Sequence, residues 1–115
     1  MLAAVLHDFN KLVLEDVPTP VPGDDEVLVK VHSCGICATD YKAVKGVRTN
    51  LTLPSILGHE PSGVIAQVGP NVTEFAEGDA VIVQPSGYCG FCANCRLGLT
   101  HYCEKSYTTG GDGIS

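Results

Sequence analysis

In "EVLVKVHSC", residues 26–34, apolar and polar positions alternate. Val27, Val29 and Val31 fall on one face and Leu28, Lys30 and His32 on the other, the period of two that a half-buried strand produces. "AAVLH" (3–7) and "KLVLEDV" (11–17) predict a hairpin pair ahead of it, and "SGVIAQVG" (62–69) and "DAVIVQP" (79–85) predict two further strands, each bounded by Gly or Pro. The stretch "PTPVPGDDE" (18–26) predicts a turn, because three prolines restrict the backbone and Gly23 with two aspartates favours a tight reversal. Only "TDYKAVKG" (39–46) carries a helical pattern, with Gly46 as its stop. No repeat or low-complexity tract occurs, and the tail "TTGGDGIS" (108–115) has too few apolar groups to hold it down. The pattern predicts a mainly β barrel or sandwich with a cysteine-bearing excursion near its end.

Composition narrows the function classes. The 115 residues suit one domain with a modest core, at 44% hydrophobic and 17% charged. Thirteen acidic against seven basic side chains give a net charge of −6, with no Lys/Arg block to track a phosphate backbone or an anionic membrane; no nucleic-acid partner is expected. The apolar run of "MLAAVLHDFN" is cut by His7 and Asp8 and lacks basic residues before it, so it does not read as a signal peptide. No run reaches the roughly 18 apolar residues of a membrane helix. The expectation is therefore a cytoplasmic protein under reducing conditions, in which the triplets "NLT" (50–52) and "NVT" (71–73) carry no glycan.

Cysteine usage changes the picture. Cys89, Cys92, Cys95 and Cys103 follow C-x2-C-x2-C-x7-C within "YCGFCANCRLGLTHYC", and gaps of two residues let successive thiolates converge on one point. Gly87, Gly90 and Gly98 supply backbone freedom for such a wrap. Four thiolates at about 2.3 Å around zinc form a closed tetrahedral site with no open position, hence a structural one. Disulfides would need an oxidising compartment. The bacterial iron–sulfur run has a last gap of three followed by Pro, where this chain has seven followed by Glu104. Structural zinc is worth about 10–16 kcal/mol apparent, against about 5–15 kcal/mol for a whole domain. A lobe whose large apolar groups are Tyr88, Phe91, Leu97, Leu99 and Tyr102 would depend on it.

A second constellation lies in "CGICATD" (34–40) and "GHEPSG" (58–63). Cys37 leaves the end of the alternating strand and His59 precedes the next one, so two unlike metal ligands could meet across a cleft. Taken alone, His59 could be structural, and Cys34 with Cys37 could form a redox C-x-x-C, although no thioredoxin-type βαβ pattern surrounds them.

The stretch "GHEPSGVIAQVGPNV" (58–72), with "GICATD" (35–40), "GDAV" (78–81) and the four-cysteine lobe in the same order, resembles the zinc-containing medium-chain alcohol dehydrogenases, on the side of their polyol (sorbitol) and threonine dehydrogenase branches. The resemblance covers nearly the whole chain, and the chain matches only the N-terminal part of the family's catalytic domain. It implies a mainly β, GroES-like, partly open barrel with a short helix and a structural zinc lobe over 86–106. By the same resemblance Cys37 and His59 would bind a catalytic zinc, and Glu60 would lie beside it, able to approach the metal. Asp40 would fix the His59 tautomer, Thr39 would pass the substrate proton outward, and Cys34 would be a non-ligand.

The implied reaction is oxidation of a small alcohol or polyol to a carbonyl, with hydride transfer to NAD or NADP, NAD being the preferred reading. By the resemblance the family's further zinc ligand would lie beyond position 115 and its Rossmann domain later still, and "TGGDG" (109–113) lacks the G-x-G-x-x-G spacing of a dinucleotide site. The 115 residues are therefore expected to be a truncated piece that binds zinc and turns over nothing, its sheet exposing apolar surface, and the complete enzyme a homo-oligomer. A stand-alone zinc-binding interaction module without catalysis is the alternative. A zinc-free quinone reductase relative is disfavoured by the cysteines.

Overall fold

Leu2–Asp8 and Lys11–Asp16 form strands β1 and β2, an antiparallel hairpin whose turn holds Asn10 at φ 60°, a left-handed conformation that Asn tolerates. The structure, a computed structural model, describes residues 1–108; most of the expected loose tail lies outside the described residues. Strand β3 (Val27–Cys34) leads to helix α1 (Ala38–Val44), followed by β4 (Ser55–Ile56), β5 (Pro61–Val68), β6 (Ala80–Ile82) and β7 (Ser86–Gly87). A short helix α2 (Ala93–Arg96), a 3-10 turn (Thr100–Tyr102) and β8 (Tyr107–Thr108) complete the elements of the described residues. The strands form two three-stranded sheets, β2-β1-β4 and β3-β5-β6, and a β7-β8 ribbon. The mainly β, partly open architecture is thus as expected, with open sheets in place of a closed barrel.

The core sits on β1. Val5 and Leu6, adjacent in sequence and pointing to opposite sides of the strand, are both fully buried, so β1 is covered on both faces. Ala3, Val5 and Val17 pack together with Ile56 against them. Full burial of a side chain the size of Val5 or Leu6 contributes roughly 1.5–3 kcal/mol.

Two expectations need correction. The valine face of β3 is not buried along its length: Val27 and Val29 are half-buried but Val31 is 53% exposed. Irregularities between Leu28 and Val29 and between Val31 and Ser33 break the alternation on which a single buried face depends. Helix α1 is also not the only helix, since α2 and the 3-10 turn lie inside the cysteine segment, four and three residues long and too short to show periodicity.

The hairpin turn is docked on the far end of α1. The Asn10 N–H donates to the Val44 carbonyl at 2.6 Å, and Phe9 packs over Gly46, whose φ of 70° ends the helix. The core sheet therefore fixes one end of the helix whose other end carries Cys37. Leu6→Ala is expected to cost about 2–5 kcal/mol, and Leu14→Ala, at a side chain 70% exposed, less than about 0.5 kcal/mol. Chemical denaturation of both variants checks this, and equal losses would contradict a core centred on β1.

Candidate metal centres

The antiparallel register of β3 and β5 brings the second constellation together. Cys34 pairs with Pro61, and one step further the Gly35 N–H donates to the Glu60 carbonyl at 3.1 Å. Cys37 and His59 lie within two residues of that bond. Cys37 is the N-cap of α1, in extended conformation, and His59 sits on the segment that crosses from β4 to β5, between the two sheets. One ligand atom each of Cys37, His59 and Glu60 lie within 4.8 Å of one another.

Asp40 organises this group from behind. Its Oδ2 accepts the Cys37 backbone N–H at 2.8 Å, and its Oδ1 lies 3.4 Å from His59 Nδ1. One mostly buried carboxylate therefore holds both the cysteine and the histidine. A proton on Nδ1, facing Asp40, leaves the Nε2 lone pair free for a metal. On that side Thr39 Oγ1 lies 3.4 Å and Glu60 Oε1 3.9 Å from Nε2. Asp40 stands three residues after the N-cap, the spacing at which a carboxylate reaches back to a cap N–H, so the sequence carries a local signal for this contact. Cys34 is exposed and lies outside the ligand cluster. Beside the loop an apolar cavity of about 340 Å³ is lined by Leu12, Cys34, Ile36, Tyr41, Val44 and Leu57 among others, but by none of the three donor side chains.

The four-cysteine segment forms a separate lobe. Sulfurs of Cys89, Cys92, Cys95 and Cys103 also lie within 4.8 Å of one another, and all six cysteines of the chain are unpaired thiols. Gly90 and Gly98 take φ of 75° and 77° and turn the chain back on itself. Gly87 serves differently, lying so close to the Tyr107 ring that a side chain would overlap it. Backbone amides point at the sulfurs: those of Phe91 and Cys92 at Cys89, at 3.5 and 3.4 Å, and those of Cys89 and Lys105 at Cys103, both at 3.3 Å.

Such donors favour thiolates. The Phe91 and Cys92 amides lower the Cys89 thiol to about 6, and the Glu104 and Cys95 amides lower Cys92. Burial, followed by the neighbouring Cys92, pushes Cys95 up to about 12. Thiols at such short range cannot all ionise without a cation among them, and a divalent ion of zinc's type meets that need. Tyr88, Phe91, Leu97, Leu99 and Tyr102 are between 42% and 80% exposed, so the lobe has no apolar core of its own.

A family model for the alcohol dehydrogenase GroES-like domain matches residues 23–114. The chain is 44% identical over 115 residues to an alcohol dehydrogenase of Rhizobium meliloti (strain 1021), covering 96% of this chain and 33% of that protein. It is 41% identical over 106 residues to a sorbitol dehydrogenase of Bacillus subtilis (strain 168), covering 90% and 30%. The structure of a cobalt- and zinc-bound thermostable alcohol dehydrogenase from Pyrobaculum aerophilum is similar at a TM-score of 0.90 and 35% identity, covering 100% of this chain and 36% of that one. The chain spans about a third of the length of the curated relatives it matches.

Stripping metal with a chelator is expected to abolish hydrogen-exchange protection of the amides between Cys89 and Cys103, while those of β1 and β5 keep theirs. Unchanged protection in the lobe, or uniform loss along the chain, would contradict a lobe held by metal alone.

Proposed function

The chain belongs to the alcohol dehydrogenase GroES-like domain family, and we propose that it is the zinc-holding portion of an NAD- or NADP-dependent dehydrogenase that oxidises an alcohol or polyol to a carbonyl. The convergence of Cys37, His59 and Glu60 within 4.8 Å carries this reading. A thiolate, an imidazole and a carboxylate, unlike donors with one of them half exposed, suit a metal that must keep a position for substrate. Four thiolates do not, so the lobe of Cys89, Cys92, Cys95 and Cys103 is read as the structural zinc site.

Zinc bound at the first centre supplies Lewis acidity of the kind that lowers the pKa of a held water from 15.7 to about 7. The chain's own residues do the rest. Asp40 keeps the proton of His59 on Nδ1 and presents Nε2 to the metal. The Thr39 hydroxyl, 3.4 Å from Nε2, is placed to take the proton of a substrate hydroxyl and pass it outward. Glu60 offers a carboxylate that can approach the metal when substrate exchanges. The hydride acceptor is a nicotinamide held outside these residues, with NAD preferred. A homo-oligomeric assembly and the reducing cytoplasm, where free thiolates persist, belong to the same reading. Among the described residues no helix is long and apolar enough to cross a membrane, and the charge of −6 offers nothing to nucleic acid.

Zinc stoichiometry tests the proposal. Elemental analysis is expected to give two zinc per chain, falling to one in Cys37→Ser and in His59→Ala with the lobe still filled. One zinc in the wild type and in both variants would favour a zinc-binding module without a catalytic centre.

A further inference from the structure

We infer that Gly35 is a positioning residue of the Cys37 centre, its missing side chain being the space that holds the Glu60 carboxylate beside the metal. The inference rests on the reading of Cys37, His59 and Glu60 as one metal centre. The backbone does not ask for glycine at this position, because Gly35 is not among the residues of positive φ. Space does. A Cβ built on Gly35 would overlap Glu60 Oε2 and lie 3.2 Å from Glu60 Cβ and 3.3 Å from Cδ, all three of its nearest atoms belonging to Glu60.

The same two residues are joined by the Gly35 N–H to Glu60 carbonyl bond at 3.1 Å. With the two backbones tied, the overlap of an added methyl with Oε2 is relieved by moving the Glu60 carboxylate, whereas the 3.2 Å approach to Glu60 Cβ asks only a few tenths of an ångström of the backbone. Other glycines in the sheet differ: side chains at Gly63 and Gly69 would meet backbone oxygens of Lys30 and of Gly23 and Asp24, the ordinary crowding of paired strands. Among the described residues, Gly35 alone gives its volume to a side chain of the ligand cluster.

Glu60 needs that volume. Its side chain is 51% exposed, and His59 Nε2 at 3.9 Å is the polar partner within its reach. Among the described residues no other ion pair or side-chain hydrogen bond restrains the carboxylate from swinging into water, where a charged group is best solvated. Filling the space over residue 35 therefore removes the third donor from the metal without touching Cys37 or His59.

Cobalt(II) titration reads this directly. The chain is first given one equivalent of zinc to fill the lobe, cobalt is added, and the visible absorption is taken as the difference from Cys37→Ser. Gly35→Ala is expected to weaken cobalt binding about tenfold, the size of a lost supporting contact at a metal site, and to change the shape of the absorption bands. In a Glu60→Ala background the same substitution is expected to change neither. Unaltered affinity and spectrum in Gly35→Ala, or an equal loss in the Glu60→Ala background, would overturn the inference, the latter by showing that the methyl acts on the backbone. Absence of any Cys37-dependent cobalt signal in the wild type would instead overturn the metal-centre reading on which it rests.

Discussion

Antiparallel pairing between β3 and β5 is the constraint from which the candidate catalytic centre follows. Cys37 and His59 are 22 positions apart, and neither has a local reason to meet the other. The ladder that sets Cys34 against Pro61 and ends in the Gly35 to Glu60 bond delivers both to the same end of the paired strands. Two further attachments remove the remaining freedom. Helix α1, which begins at Cys37, is held at its other end by the hairpin turn through Asn10 and Phe9. The segment leading into His59 is held on its other side by the pairing of β4 with β1. The centre is thus built on loops, but each loop is anchored at both ends by an element of the core.

Within this frame Asp40 does what no packing contact could. Its two oxygens reach the Cys37 amide and the His59 ring separately, so displacement of either ligand loop disturbs the partner of the other. The cysteine lobe follows the opposite strategy. Its aromatic and leucine side chains are turned outward; on the proposed reading metal–sulfur bonds take the place of apolar burial, and the amides directed at Cys89 and Cys103 would prepare the thiolates such bonds need. On that reading the two centres differ in kind: in one, a folded scaffold positions donors for a metal, and in the other, donors and metal together would constitute the scaffold.

Much of this is legible in the sequence, and the boundary is physical. The β1–β2 hairpin, β5 and α1 announce themselves because local spacing and turn residues specify them. The C-x2-C-x2-C-x7-C spacing likewise specifies convergence, since short gaps leave the sulfurs few other arrangements. The burial of Leu6 beside Val5 is not legible, because it depends on what covers the two faces of β1, a fact of tertiary packing. Nor is the exposure of Val31, which depends on irregular pairing with β5. The strands β4, β7 and β8 are two residues each and carry no period. Gly87 reads as a flexible turn residue, whereas its purpose is room for the Tyr107 ring, 20 positions away.

The central claim, two metal centres of different chemistry on one chain, is tested most directly by zinc K-edge X-ray absorption of the fully loaded protein. The account predicts a sulfur shell near 2.3 Å together with a nitrogen or oxygen shell near 2.0–2.1 Å, the lighter shell disappearing in Cys37→Ser and leaving four sulfurs alone. A wild-type spectrum of four sulfurs only, identical to that of Cys37→Ser, or one without a sulfur shell, would contradict it.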